Sequence, residues 1–151
     1  MGNGARVAAA ALVAIAMLTI APAIAATTTP FQQYLSKDCQ TAAGCSVAFP
    51  VVAAATRLEI EHVSCEDQIT DTSPAVVDVH LDVFESNTVK LVYSLVPNLN
   101  GVIGNTVYWV IDHPVYALVT ENRRPVVIVH LDKKPATRTL RCTISGHKVV
   151  N

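Results

Sequence analysis

The sequence lacks most of the patterns that reveal an activity. It holds no C-x-x-C pair for a zinc site, no G-x-S-x-G turn for a serine hydrolase and no D-x-[DN]-x-[DN]-G loop for calcium. Aromatic residues make up only 5% of the 151 residues, so few side chains could form a sugar-binding platform. The formal net charge is −1 and no nucleic-acid motif is present, so no nucleic-acid partner is expected. We therefore predict no catalytic residue, no metal ligand and no cofactor.

Long apolar runs are also scarce, and the one at the N-terminus is too short to span a bilayer. It covers residues 7–20, whereas a spanning helix needs about 20 apolar residues. A short region with one basic side chain, Arg6, precedes it, and the small residues Ala23 and Ala25 follow it. These are the three parts of a secretory signal peptide. We predict cleavage after Ala25, a mature chain without a transmembrane segment, and a periplasmic or secreted location.

The four cysteines all follow this segment, at Cys39, Cys45, Cys65 and Cys142. An even number of cysteines in an exported chain predicts two disulfides, and four cysteines allow three pairings. We favour Cys39 with Cys45, which closes a short loop, and Cys65 with Cys142, which joins two predicted strands. A four-cysteine metal site is the alternative, but such sites need closely spaced pairs that this sequence lacks.

Alternation of apolar and polar residues predicts β-strands, because successive side chains of a strand point to opposite faces. The clearest example is residues 57–65, where Leu58 and Ile60 alternate with charged residues. Residues 75–84 and 88–95 alternate in the same way around turn residues, which predicts a hairpin. Further strands are predicted at residues 46–52, 106–112, 115–121, 126–131 and 137–150.

Frequent turn signals between these short strands favour one all-β domain. We predict an antiparallel β-sandwich of about eight strands, jelly-roll or immunoglobulin-like, over residues 45–151, with a barrel as the lesser alternative. Residues 26–44 are expected to form a loose N-terminal segment. Residues 66–74 and 97–105 are expected to be loops, and His113 with Pro114 a turn.

Charge is distributed unevenly along the mature chain. Residues 26–112 contain ten acidic and three basic side chains, whereas residues 113–151 contain two acidic and seven basic ones. If early strands lie beside late strands, opposite charges meet across the sheet and stabilise it. We therefore predict cross-strand ion pairs, such as Glu59 and Glu61 with Arg141 and Lys148. The alternative is a basic patch for an anionic surface such as nucleic acid or envelope polysaccharide.

All five histidines lie in the mature chain, and histidine is a common metal ligand. Zinc and iron sites can be built from histidines that converge from neighbouring strands, although the glycine-flanked H-x-H motif of cupins is missing here. The tetrapeptide Val-His-Leu-Asp occurs twice, at residues 79–82 and 129–132, through either duplication or chance. Because two of the histidines alternate with core residues, we expect most of them on solvent-facing surfaces. The five histidines are His62, His80, His113, His130 and His147.

Three cysteine-framed segments, residues 45–50, 57–65 and 142–146, resemble small exported proteins of alphaproteobacteria to which no activity is assigned. The resemblance implies an envelope or secreted location. We interpret the chain as a binding or structural module of the cell envelope, with an envelope protein or polysaccharide as its partner. Binding would use the 97–105 loop, a turn at Arg123 and Arg124, or an exposed sheet edge. The alternative is a metal-dependent jelly-roll enzyme that gathers several histidines into one pocket.

Overall fold

The computed structural model describes residues 26–71 and 73–150, so the expected signal peptide lies outside the described residues. The described chain is built from β-strands and contains no helix, hence none that could cross a membrane. The nine strands are β1 (Thr27–Asp38), β2 (Gly44–Ala48), β3 (Thr56–Thr70), β4 (Val76–Glu85), β5 (Thr88–Ser94), β6 (Pro97–Ile103), β7 (Thr106–Val119), β8 (Arg123–Leu131) and β9 (Thr137–Val150).

The strands form two antiparallel sheets, which confirms the predicted β-sandwich. One sheet has the order β1-β9-β3-β7-β6 and the other has the order β2-β8-β4-β5. Four of the strand pairs are nested: β1 pairs with β9, β2 with β8, β3 with β7 and β4 with β5. This nesting is the jelly-roll arrangement rather than the immunoglobulin one, with β6 added as an extra strand at one edge.

The segment expected to be loose, residues 26–44, instead contains strand β1, which pairs with β9 along its whole length. Phe31 and Leu35 pack against the core, whereas the residues between them are mostly polar and exposed. An edge strand with one face in water needs few apolar residues, and it tolerates Pro30 because its outer amides have no neighbour to bond. The weak sequence pattern therefore concealed a complete strand.

Three other segments expected to be irregular also belong to strands. Residues 97–103 form β6, which ends at a turn where Gly104 has a φ of 61°. Strand β3 continues past Cys65 to Thr70. The apolar pattern seemed to end at Cys65 because Asp67, a charged residue, takes an inward position that an apolar residue usually occupies. Strand β7 runs unbroken through His113 and Pro114, beside a register shift between Ile60 and His62 of β3. The expected irregular segments are therefore an edge strand, a strand with a buried polar residue and a strand beside a bulge.

The core lies between the sheets, and both disulfides border it. Cys65 and Cys142 face each other on the neighbouring strands β3 and β9 and are bonded. Cys39 and Cys45 are bonded across the short loop that leads from β1 in one sheet to β2 in the other. This is the pairing that the sequence favoured. All four half-cystines are buried.

A buried ion pair crosses this core, which the sequence did not predict. The guanidinium of Arg138 donates from Nε to Asp67 Oδ1 at 2.9 Å and from Nη2 to Asp67 Oδ2 at 2.6 Å. It also donates to the carbonyl oxygens of Ala43 at 2.7 Å and Val129 at 3.2 Å. Burial raises the pKa of Asp67, and the Arg138 hydrogen bonds and charge oppose that rise. Because Val129 belongs to β8, the pair connects the two sheets.

Gly146 marks the place where β9 passes the bulge of β3. Its φ is 154°, and a Cβ built on it would lie 2.0 Å from the carbonyl oxygen of Glu59 and 2.9 Å from the amide nitrogen of Glu61. Both contacts are with backbone, which cannot move aside without breaking the strand pairing. Only glycine therefore fits this position.

Candidate functional site

The sandwich has two lateral sides, each formed by the edge strands of both sheets. Strands β1 and β2 are the edges on one side. On the other side, β5 pairs only with β4, and β6 pairs only with β7. Since Leu95 and Val96 join β5 directly to β6, these two strands form one continuous border, which we call the β5–β6 edge. Within residues 26–71 and 73–150, no strand pairs with the backbone amides and carbonyls on its outer side.

The β5–β6 edge is strongly apolar. Of the thirteen large apolar side chains that are exposed in the described residues, seven lie within residues 89–103. Lys90 is the one charged residue in this range, and its Nζ lies 2.9 Å from an oxygen of Glu85. Exposed apolar clusters on a protein surface commonly mark interaction sites. The seven residues are Val89, Leu91, Val92, Val96, Leu99, Val102 and Ile103.

The β1–β2 side is protected in the ways that edge strands usually are. Strand β1 is rich in threonine and glutamine and carries Pro30 and Lys37, and β2 is only five residues long. Polar residues, proline, lysine and short length all discourage another strand from pairing with an edge. The β5–β6 edge has fewer such features, with Lys90 paired and Pro97 confined to the first position of β6. The two sides are therefore not equivalent.

Two of the three binding regions expected from the sequence are altered by the structure. Arg123 and Arg124 do not form an exposed turn; they begin β8, are half-buried and lie opposite Glu85 and Phe84 of β4. The expected 97–105 loop is strand β6 with its turn. The exposed sheet edge is the expectation that the structure retains. This edge was not located from the sequence, although Val92, an apolar residue on the polar face of the predicted strand 88–95, was a signal that could have located it.

The five histidines do not gather in one pocket. His62 Nε2 lies 3.2 Å from Asp112 Oδ1, and His147 Nδ1 lies 3.0 Å from Glu61 Oε1. Both pairs lie on the five-stranded sheet. His80 and His130 lie on the other sheet, with ring centroids 6.0 Å apart. The structure therefore gives no support to an enzyme that uses several histidines in one cleft.

His80 is held between two carboxylates of its own strand. Its Nδ1 lies 2.9 Å from Asp82 Oδ1, and its Nε2 lies 2.9 Å from Asp78 Oδ2. Burial acts to lower the pKa of His80, but the hydrogen bonds and charges of Asp82 and Asp78 outweigh burial and raise it. The ring orientation is thus fixed from both sides.

Several surface cavities lie elsewhere on the sandwich, and two of them differ clearly in their linings. One of about 170 Å³ is lined mainly by apolar residues, among them Phe31, Val52 and Leu58. Another of about 530 Å³ is lined by residues that include Arg57 and Glu121. Neither is lined by a histidine or a cysteine, and Glu121 is the one carboxylate among their lining residues. The β5–β6 edge remains the stronger candidate.

The fold and the two disulfides define a disulfide-stabilised β-sandwich module, and such bonds are typical of oxidising compartments outside the cytoplasm. The chain matches no protein-family model, no curated protein and no solved structure. Its function has to be inferred from its own surface.

Proposed function

We propose that this protein is an exported module of the cell envelope, and that it binds an extended segment of another envelope protein along the β5–β6 edge. The observation that carries this proposal is the concentration of exposed apolar side chains on two edge strands, each of which pairs with one neighbouring strand of the described chain. An extended segment that pairs with such an edge gains main-chain hydrogen bonds, and pockets for its alternate side chains give specificity. Binding would also cover apolar surface that now faces water.

Export is supported by the sequence and by the disulfides. Strand β1 begins at Thr27, two residues after the expected cleavage position. The pairs Cys39–Cys45 and Cys65–Cys142 need an oxidising compartment to form and persist. Intact mass measurement of the protein from its host checks this part: the chain should begin at Ala26 and be four hydrogens lighter than its reduced form. A chain that begins at Met1 would contradict export by this signal.

The chemistry of the edge favours a protein partner over a polysaccharide. With Lys90 paired to Glu85, residues 89–103 present no free charge for an anionic sugar polymer. Tyr93 is the one aromatic residue in this range, and it is half-buried, so sugars would find no stacking platform. Aliphatic side chains beside unpaired backbone groups instead match a neutral, apolar peptide strand.

Site-specific photo-crosslinking in the host tests the proposal. A photoreactive residue placed at Val92 or Leu99 should give an adduct of one mass, and the same residue at Tyr34, equally exposed on β1, should not. A synthetic peptide of the crosslinked segment should then protect β5 or β6 amides from hydrogen exchange. Leu99→Lys should abolish that protection, whereas Tyr34→Lys should leave it unchanged.

Two outcomes would overturn this assignment. Adducts of twice the mass of this chain would show that the edge joins two copies rather than a different partner. Equal crosslinking from Tyr34 and Val92, or a peptide that protects no β5–β6 amide, would show that the edge is not a specific binding surface.

A further inference from the structure

A second surface feature, on the outer face of the four-stranded sheet, is independent of the β5–β6 edge. Asp78 of β4 lies directly opposite His130 of β8 in the strand register. His80 lies two residues beyond Asp78, so it projects from the same face of the sheet. One ligand atom from each of Asp78, His80 and His130 lies within 4.8 Å of those of the other two. Three side chains of metal-ligating type thus converge from two strands.

The orientation of His80 is that of a metal ligand. Asp82 is only 4% exposed, and its Oδ1 lies 2.9 Å from Nδ1 of His80. A carboxylate that holds one ring nitrogen in this way fixes the tautomer and directs the other nitrogen towards a metal. Here the other nitrogen, Nε2, is directed to Asp78 Oδ2 at 2.9 Å. A bound metal ion would take the place of the hydrogen bond between these two atoms.

The position of the His130 ring depends on Gly44. Gly44 of β2 lies opposite His130, and a Cβ on Gly44 would lie 3.2 Å from Nδ1 and 3.3 Å from Cε1 of the ring. This spacing is tighter than ordinary van der Waals contact, so a larger residue would displace the imidazole. Glycine therefore leaves room for the ring beside β2.

We propose that Asp78, His80 and His130 bind a divalent transition-metal ion, for which Zn²⁺ fits best. Two imidazole nitrogens and one carboxylate oxygen suit zinc, whereas calcium and magnesium require a shell of oxygen ligands. Asp78 and His130 are exposed, so the remaining coordination position is open to water or to a donor from a partner. Asp82 acts through His80 as a positioning residue. This site goes beyond the proposed binding function and does not depend on it.

The test is zinc titration of the mature protein, purified without a histidine tag or exposure to chelating resin. Competition with a chromophoric chelator should show about one Zn²⁺ per chain at micromolar or tighter affinity. His130→Gln should weaken binding at least tenfold, and Asp82→Asn should weaken it by roughly 10- to 100-fold. His147→Gln is the matched control, since that exposed histidine is paired with Glu61 on the other sheet and should leave affinity unchanged.

Nuclear magnetic resonance separates this site from general histidine binding. One equivalent of Zn²⁺ should shift the imidazole signals of His80 and His130 and leave those of His62 and His147 in place. Gly44→Ala should weaken zinc binding while the unfolding midpoint changes little. Binding only at millimolar zinc, equal losses in His130→Gln and His147→Gln, or shifts at all histidines would overturn the proposal.

Discussion

At the scale of the residue, Gly146 gives a direct test of the sheet geometry. We expect Gly146→Ala to lower the free energy of unfolding by roughly 1–3 kcal/mol or more, because the new Cβ would overlap the backbone of Glu59. Urea unfolding monitored by circular dichroism measures this loss. Gly101→Ala is the control, since no atom lies within 4 Å of its Cβ position. An equal effect at both positions would contradict the close approach of β3 and β9.

The buried ion pair is the second residue-scale feature with a measurable consequence. Arg138→Met should cost about 3–5 kcal/mol of unfolding free energy, because it leaves the carboxylate of Asp67 buried without its partner. The double variant Asp67→Leu with Arg138→Met should be more stable than that single variant, since no unpaired charge remains. Arg141→Met is the control: its pair with Glu66 is partly exposed and is worth about 0–1 kcal/mol. A double variant no more stable than Arg138→Met would contradict this account.

At the scale of the element, strands with one clear face were predictable and edge strands were not. Strands β3, β4 and β5 alternate visibly between apolar and polar residues, and all three were predicted near their observed positions. Strands β1 and β6 are edges, so pairing with a single neighbour stabilises them without a regular apolar face. Their threonine, asparagine, glycine and proline content therefore resembled that of a loop.

Strand β1 can be tested by two adjacent residues that face opposite ways. Leu35 packs against the core, whereas Tyr34 is 58% exposed. We expect Leu35→Ala to lower the free energy of unfolding by about 1–2 kcal/mol, below the cost for a fully buried leucine. Tyr34→Ala should change it by less than about 0.5 kcal/mol. Chemical denaturation measures both, and two neutral variants would show that β1 does not pack as described.

The candidate sites depend on which residues of neighbouring strands lie opposite each other. The alternation of apolar and polar residues along one strand does not predict this register. The charge distribution predicted ion pairs between early and late strands, and Arg141 with Glu66 is one of them. It did not identify the partners: Glu59 and Glu61, which the sequence suggested for Arg141 and Lys148, instead contact Arg57 and His147. The cluster around His80 and His130 requires β4 to pair with β8 at one register. Val79 and Val129 of the repeated Val-His-Leu-Asp lie opposite each other, but the repeat does not specify the register because the two strands are antiparallel. Without the pairing, it resembled a chance repeat.

At the scale of the whole molecule, the two disulfides should contribute unequally to stability. Cys65 and Cys142 are 77 residues apart, whereas Cys39 and Cys45 are six apart. In the chain-entropy description, the long loop contributes about 4 to 5 kcal/mol and the short loop about 2 kcal/mol. We expect the Cys65→Ala, Cys142→Ala double variant to unfold at lower urea than the Cys39→Ala, Cys45→Ala one. Equal midpoints would contradict this ranking.

The two lateral sides of the sandwich also differ in how firmly their edge strands are held. On one side, a disulfide and the Arg138 hydrogen bond to Ala43 fasten the β1–β2 connection to the sandwich. On the other side, β5 and β6 each pair with one neighbouring strand. Together with the residues that join them, they carry seven exposed apolar side chains. A partner that pairs with the open side would therefore add to the sandwich without disturbing the fastened one.

Because of the nested pairing, several early strands cannot pair until much later strands have been synthesised. Strand β1 is the first of the nine to be made and its neighbour β9 is the last, with Thr27 opposite Val150. Strand β2 likewise pairs with the much later β8, and β3 with β7, whereas the β4–β5 and β6–β7 hairpins pair strands that are adjacent in the sequence. A half-made chain therefore cannot close the sandwich. Strands β1, β2 and β3 of such a chain still lack their partners, and a chain that has not closed can pass through a narrow channel that a closed sandwich could not enter.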